Sequence, residues 1–159
     1  MIPFDPKKQI VYEDNHIIVV DKQPSQIVQG DKTGDEPLSE SLKQYLKQKF
    51  NKPGNVFLGV VHRLDRPVSG LVVFSRTSKA LARLNKQIAD KSIKKTYWAV
   101  VRNRPKTESG QLIHYLAKDE KKNKSFVVSA TRKDAKQAVL DYRLIGGSDT
   151  YYLLEIMLQ

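Results

Sequence analysis

Two runs near the end of the chain alternate apolar and polar residues with a period of two: Ala138, Leu140, Tyr142 and Leu144, then Tyr152, Leu154, Ile156 and Leu158. That period puts every apolar side chain of a run on one face of an extended strand, whereas a helix would scatter them around its axis. Gly146-Gly147-Ser148-Asp149 lies between the runs and is rich in the residues that hairpin turns require. A slip of one residue would turn the whole apolar set towards water, so the pair reads as an antiparallel hairpin in fixed register.

The neighbouring text is also strand-like. Residues 93–101, 111–116 and 125–130 are rich in β-branched and aromatic side chains, with a loop over 102–110. The run Lys118-Asp119-Glu120-Lys121-Lys122-Asn123-Lys124 is a solvated turn between two of these strands. At the other end, Gln9-Ile10-Val11-Tyr12 and His16-Ile17-Ile18-Val19-Val20 form a strand pair around Glu13-Asp14-Asn15. Two helices interrupt the strands. One starts near Pro37, with Leu38, Leu42, Tyr45, Leu46 and Phe50 on one face, and the other starts near Ser78, with Ala80, Leu81, Leu84 and Ile88 inward. An apolar strand over 56–61 runs on into His62-Arg63-Leu64-Asp65, and Leu71-Val72-Val73-Phe74 is the next. These elements predict an α+β fold in a single domain, with a mixed, mainly antiparallel sheet and flanking helices.

Charge narrows the partner. The net charge of +11 favours a polyanion, either nucleic acid or an acidic membrane surface, over a merely well-solvated basic exterior. Between Ser41 and Ala89 the only acidic residue is Asp65, among ten basic ones. Nearby cations keep such a carboxylate ionised. No apolar run is long enough for a membrane-spanning helix, and no apolar segment follows the basic start as a secretory signal would require. The chain has no cysteine, which excludes disulfide and thiolate chemistry and fits a cytoplasmic protein.

Other chemistries find little support. His16, His62 and His114 are too dispersed for a metal-ligand motif, and neither standard Gly-rich phosphate loop occurs. No serine occupies a nucleophile elbow. Cofactor-free and metal-free chemistry is the expectation. The segment that could carry it is His62-Arg63-Leu64-Asp65-Arg66-Pro67-Val68-Ser69-Gly70-Leu71. If a strand persists through Asp65, Arg63 and Asp65 share one side and Leu64 packs on the other. For an isolated aspartate, a structural ion pair or a turn cap would be the better reading.

This stretch resembles the signature of the RluA-type pseudouridine synthases: His-Arg-Leu-Asp, then Ser-Gly and an apolar strand. Three further matches follow the family order. Tyr12-Glu13-Asp14 through Val19-Val20-Asp21-Lys22-Gln23-Pro24 is similar to its opening strand pair and Asp/Asn-Lys-Pro element, with Gln23 inserted. Leu71-Val72-Val73-Phe74-Ser75-Arg76-Thr77-Ser78 is similar to its following strand, and Lys95-Thr96-Tyr97-Trp98-Ala99-Val100-Val101 to its Lys-x-Tyr strand. Ordered matches are more specific than any one alone. Val68 stands where the commonest signature has Thr.

The resemblance implies isomerisation of uridine to pseudouridine in ribosomal or transfer RNA, by a pseudouridine synthase catalytic domain over residues 1–159 with no N-terminal RNA-binding domain. It implies Asp65 as the catalytic carboxylate, acting on the sugar, on the base or as a proton acceptor. Tyr97 would stack on the target base, and Arg63, His62, Arg66 and Lys95 would be the other substrate-binding residues. No cofactor or metal is implied, and the protein is expected to be a cytoplasmic monomer with RNA as partner. Two other readings stay open: a non-catalytic basic RNA-binding module related to these enzymes, and a nucleoside hydrolase, whose chemistry usually needs a second carboxylate. In the family a strand like 152–159 leads into a Thr-Gly-Arg element and more of the same sheet. The expectation is therefore a C-terminally incomplete catalytic domain of weak activity, with an unpaired strand edge open to another chain.

Overall fold

The computed structural model describes residues 2–120 and 124–159. The chain divides into two compact units, Met1–Asp90 and Lys91–Gln159.

The first unit opens with a single helical turn, α1 (Pro6–Gln9), that the sequence reading did not anticipate. Its signals are local: Asp5 accepts the Lys7 N–H at 3.0 Å, and Pro6 sits in the first turn, where its missing N–H costs nothing. Strands β1 (Ile10–Glu13) and β2 (Ile17–Lys22) follow, then α2 (Leu38–Lys49), β3 (Gly59–Val60), β4 (Gly70–Ser75) and α3 (Ser78–Ala89). The four strands make an antiparallel sheet in the order β1-β2-β4-β3. Asp14 turns β1 into β2 by accepting the N–H groups of His16 and Ile17, each at 2.7 Å.

One face of β2 sets the core. Ile18 and Val20 pack with Val72 and Phe74 of β4 and with Leu38, Leu42 and Leu46 of α2. Each such side chain contributes about 1.5–3 kcal/mol on burial. The N-terminus of α2 has no side-chain cap. Instead the N–H groups of Leu38 and Ser39 donate to the carbonyls of Ile27 and Val28, so the preceding loop satisfies them. Phe50, expected on the buried face of α2, lies just past the helix end and is exposed, with the cations of Lys49, Lys52 and Arg76 over its ring. The α3 face comprising Ala80, Leu81, Leu84 and Ile88 is half-buried, and Leu81 lies against Gly59 of β3, where any Cβ would collide with it.

The expected strand over 56–61 is a correction. Only Gly59 and Val60 join the ladder, opposite Ser75 and Phe74. Val56 and Leu58 are apolar because they pack on the core, not because they pair.

The second unit is a five-stranded antiparallel sheet in the order β5-β9-β8-β6-β7, from β5 (Thr96–Val101), β6 (Ser109–Asp119), β7 (Lys124–Val127), β8 (Lys136–Gly147) and β9 (Tyr152–Leu158). The alternating runs pair as expected, with Leu144 opposite Leu154 and Tyr142 opposite Ile156. The middle of the 118–124 charge run, Lys121, Lys122 and Asn123, lies outside the described residues. The closing strand β9 pairs with β5 on one side and β8 on the other, so the unpaired edges of this sheet, as described, lie on its outer strands β5 and β7. The α+β class and antiparallel pairing are those read from the sequence, with the strands shared between two sheets. Among the described residues, no helix is long and apolar enough to cross a membrane.

Candidate active site

The segment between β3 and β4 carries four of the six candidate residues. It has no regular structure from Val61 to Asp65, yet exposure still alternates: Arg63 and Asp65 are exposed, while Leu64 is half-buried and packs on the core. The outward pairing of Arg63 with Asp65 thus survives without a strand. A turn follows, closed by the Val68 N–H donating to the Asp65 carbonyl at 3.0 Å. Gly70 then enters β4 at φ 135°, a conformation that side-chain-bearing residues rarely adopt.

What holds the turn is a residue that the sequence reading did not place in the site. Lys22 is fully buried, and its Nζ donates to the carbonyls of Gln23 and Arg66, each at 3.2 Å, and of Val68. The Arg66 carbonyl also accepts the Ser25 N–H at 2.8 Å. The end of β2 is therefore stitched to the backbone of the Asp65 turn. Burial pushes the Lys22 ammonium below its ordinary pKa, the Asp65 charge pulls it back up, and Arg66 lowers it further. The signal for Lys22 was available, because it continues the inward series Ile18, Val20, Lys22 along β2.

The four side chains have different surroundings. The Asp65 carboxylate makes no hydrogen bond or ion pair among the described residues and is open to solvent. Arg63 is likewise exposed and unpaired there. Arg66 is engaged: its guanidinium donates to Asp35 at 2.6 Å, to Asp31 at 3.3 Å and to the Thr33 hydroxyl at 2.8 Å. Those bonds, with Asp35 foremost, raise its pKa above the ordinary arginine value. The His62 ring accepts the Val73 N–H of β4 through Nε2 at 3.1 Å.

The other two candidates belong to the second unit. Tyr97 is on β5 opposite Ile156, half-buried like Ala99 and Val101 on its own face, whereas Trp98 on the other face is 71% exposed. Lys95 is half-buried just before β5. Among the described residues no group of three or more His, Asp or Glu side chains could hold a metal ion. Chemically, the first unit presents an exposed carboxylate on a backbone-anchored turn, with an arginine two residues before it that has no partner among the described residues.

Comparison with known proteins gives a consistent picture. The family model described as RNA pseudouridylate synthase matches residues 16–159. The chain is 34% identical over 160 residues to the ribosomal large subunit pseudouridine synthase D of Zymomonas mobilis, covering 99% of this chain and 50% of that protein. It is 30% identical over 135 residues to the tRNA pseudouridine synthase C of Vibrio cholerae, covering 85% of this chain and 52% of that one. The chain thus spans about half the length of the curated relatives it matches. The fold is similar to that of human RNA pseudouridylate synthase domain containing 4, with a TM-score of 0.78 at 18% identity, covering 96% of this chain and 59% of that one.

Proposed function

The chain belongs to the RNA pseudouridylate synthase family, and on that footing we propose that it isomerises uridine to pseudouridine in structured RNA, with Asp65 as the reacting carboxylate. The observation that carries this reading is the exposed Asp65 side chain on a turn whose carbonyls are bonded to a buried ammonium. A nucleophile or base held this way keeps its lone pairs available while its backbone cannot drift. The relatives named for ribosomal and transfer RNA support a structured RNA substrate, and the net charge of +11 supports binding to one.

The reaction balances without a cofactor. The N1–C1′ bond of uridine breaks, the uracil turns so that C5 faces C1′, and a C5–C1′ bond forms. A proton leaves C5 and N1 gains one. The target must first leave its stack, which costs a few kcal/mol and is least costly in a loop or a weakly paired site. Asp65 bonds covalently to sugar or base, or removes a proton from the sugar, during the detached stage. Arg63, exposed and unpaired among the described residues, contacts the RNA beside the flipped nucleotide, and Tyr97 stacks on the base. Lys95 serves the RNA backbone, and Arg66 reaches it only on leaving Asp31 and Asp35. The setting is the cytoplasm, and the acting species is a monomer.

Asp65→Asn decides the matter, because an amide of nearly the same shape can be neither nucleophile nor base. Pseudouridine formed in ribosomal and transfer RNA should fall at least about a thousandfold, the scale of losing a nucleophile or base, with RNA affinity unchanged. Turnover within tenfold of the parent would remove Asp65 from the mechanism. RNA binding without any turnover in the parent would instead favour a non-catalytic binding module.

A further inference from the structure

The ladder between β3 and β4 stops early. Val60 pairs with Phe74, so Val61 would face Val73 if β3 continued, but the strand ends at Val60. On its other edge β4 is fully paired with β2, where Val19 opposes Val73. An N–H of a half-buried central strand that points at a departed neighbour needs another acceptor. His62 supplies it, accepting the Val73 N–H at 3.1 Å through Nε2. A ring nitrogen that accepts must hold a lone pair, so the imidazole is neutral with its proton on Nδ1.

The position of this bond gives it a consequence. It lies three residues before Asp65 and keeps the chain beside β4 after the backbone ladder has ended. Leu64 can then stay on the core while Arg63 and Asp65 stay outside. Downstream, Lys22 fixes the carbonyls of Arg66 and Val68. Asp65 is thus held from both sides, by a side-chain acceptor before it and a side-chain donor after it.

We propose that His62 is a positioning residue: its neutral imidazole stands in for the missing strand neighbour of Val73 and sets where Asp65 emerges, and it does not bind substrate. The effect on turnover rests on the pseudouridine synthase reading, whereas the hydrogen bond and its effect on the loop do not.

The test uses the 15N-labelled 159-residue chain, with Asp65→Asn measured alongside. Nuclear magnetic resonance should show a scalar coupling between the Val73 amide nitrogen and His62 Nε2, and slow exchange of the Val73 amide. His62→Leu should speed that exchange about tenfold and lower kcat by a similar factor with KM for RNA within about twofold, as loss of one hydrogen bond without loss of a substrate contact requires. His62→Gln, whose Oε1 reaches a similar place as an acceptor, should restore most of both. Absence of the coupling, or a Val73 amide equally protected in His62→Leu, overturns the proposal. So does a raised KM in both variants while Val73 stays protected in His62→Gln, because His62 would then touch the RNA. If His62→Leu fails to fold, the coupling and the His62→Gln variant still decide. Retained turnover in Asp65→Asn sinks the functional reading and leaves the exchange result standing.

Discussion

Lys22 and Arg66 are joined through the backbone: the buried ammonium donates to the Arg66 carbonyl at 3.2 Å, behind the turn that begins at Asp65. Two effects oppose each other here. Burying a charge costs stability, as the lowered pKa of Lys22 records, while three carbonyls gain a charged donor. Replacing the ammonium by an apolar side chain removes the first effect and leaves buried acceptors unmet. Lys22→Met should therefore lose about 1–3 kcal/mol in a urea titration and most of the turnover, with RNA affinity little changed. An unchanged urea midpoint together with unchanged turnover would show that the turn needs no clamp.

Arg66 spends its guanidinium on the loop at Asp31, Thr33 and Asp35. Removing both carboxylates as Asp31→Asn with Asp35→Asn should release a cation beside Asp65. RNA should then bind more tightly at low salt, with the slope of log K against log salt steeper by about 0.7 for one extra single-strand phosphate contact. An unaltered slope would mean that Arg66 never reaches a phosphate.

The turn between β1 and β2 gives a pH dependence of known sign. The N–H groups of Ile17 and then His16 hold the Asp14 carboxyl below its ordinary value of 3.8. The unfolded chain therefore binds this proton more readily than the folded one. The stability contributed is complete above the ordinary value and is lost as pH falls through the lower folded-state value. Asp14→Ala should be less stable than the parent at neutral pH, with the gap closing in strong acid. A gap that persists in acid would place the loss elsewhere than in the carboxylate.

Tyr97→Leu keeps the strand apolar but removes the ring. Turnover should fall by the equivalent of about 1–3 kcal/mol of base stacking, with thermal unfolding of the chain nearly unchanged. A lowered melting temperature with normal turnover would make Tyr97 a packing residue of its sheet.

Period-two alternation made the hairpin of β8 and β9 legible, because one buried face demands it, and the 3.6-residue period did the same for α2 and α3. The strand before His62 was misread because burial and pairing are different causes of the same apolar text: Val56 and Leu58 are covered by the core without a ladder. Lys22 was missed as a site residue for the opposite reason. Its inward position follows from Ile18 and Val20, but a lysine is ordinarily outside, and two of the three carbonyls that make its burial possible belong to the Asp65 turn, 44 and 46 residues on. Asp65 and Tyr97 are proposed from the motif alone, since nothing in local propensity distinguishes a reacting aspartate from a turn-capping one. The engagement of Arg66 by Asp31 and Asp35 needs a loop conformation that no short-range pattern encodes.

The strand order of the second sheet also sets a schedule. β5, which carries Tyr97, pairs among the described residues only with β9, in a register that joins Tyr97 to Ile156. Ribosomes add about 5–20 residues per second, so β5 leaves the ribosome roughly 3–11 s before its neighbour does. Throughout that interval Trp98 and Val100 stand on a strand with both edges bare, the state that chaperones bind and that pairs wrongly with other nascent chains. Slowing translation between the two strands should lengthen this exposure and lower the yield of folded protein, even though the finished molecule is unchanged.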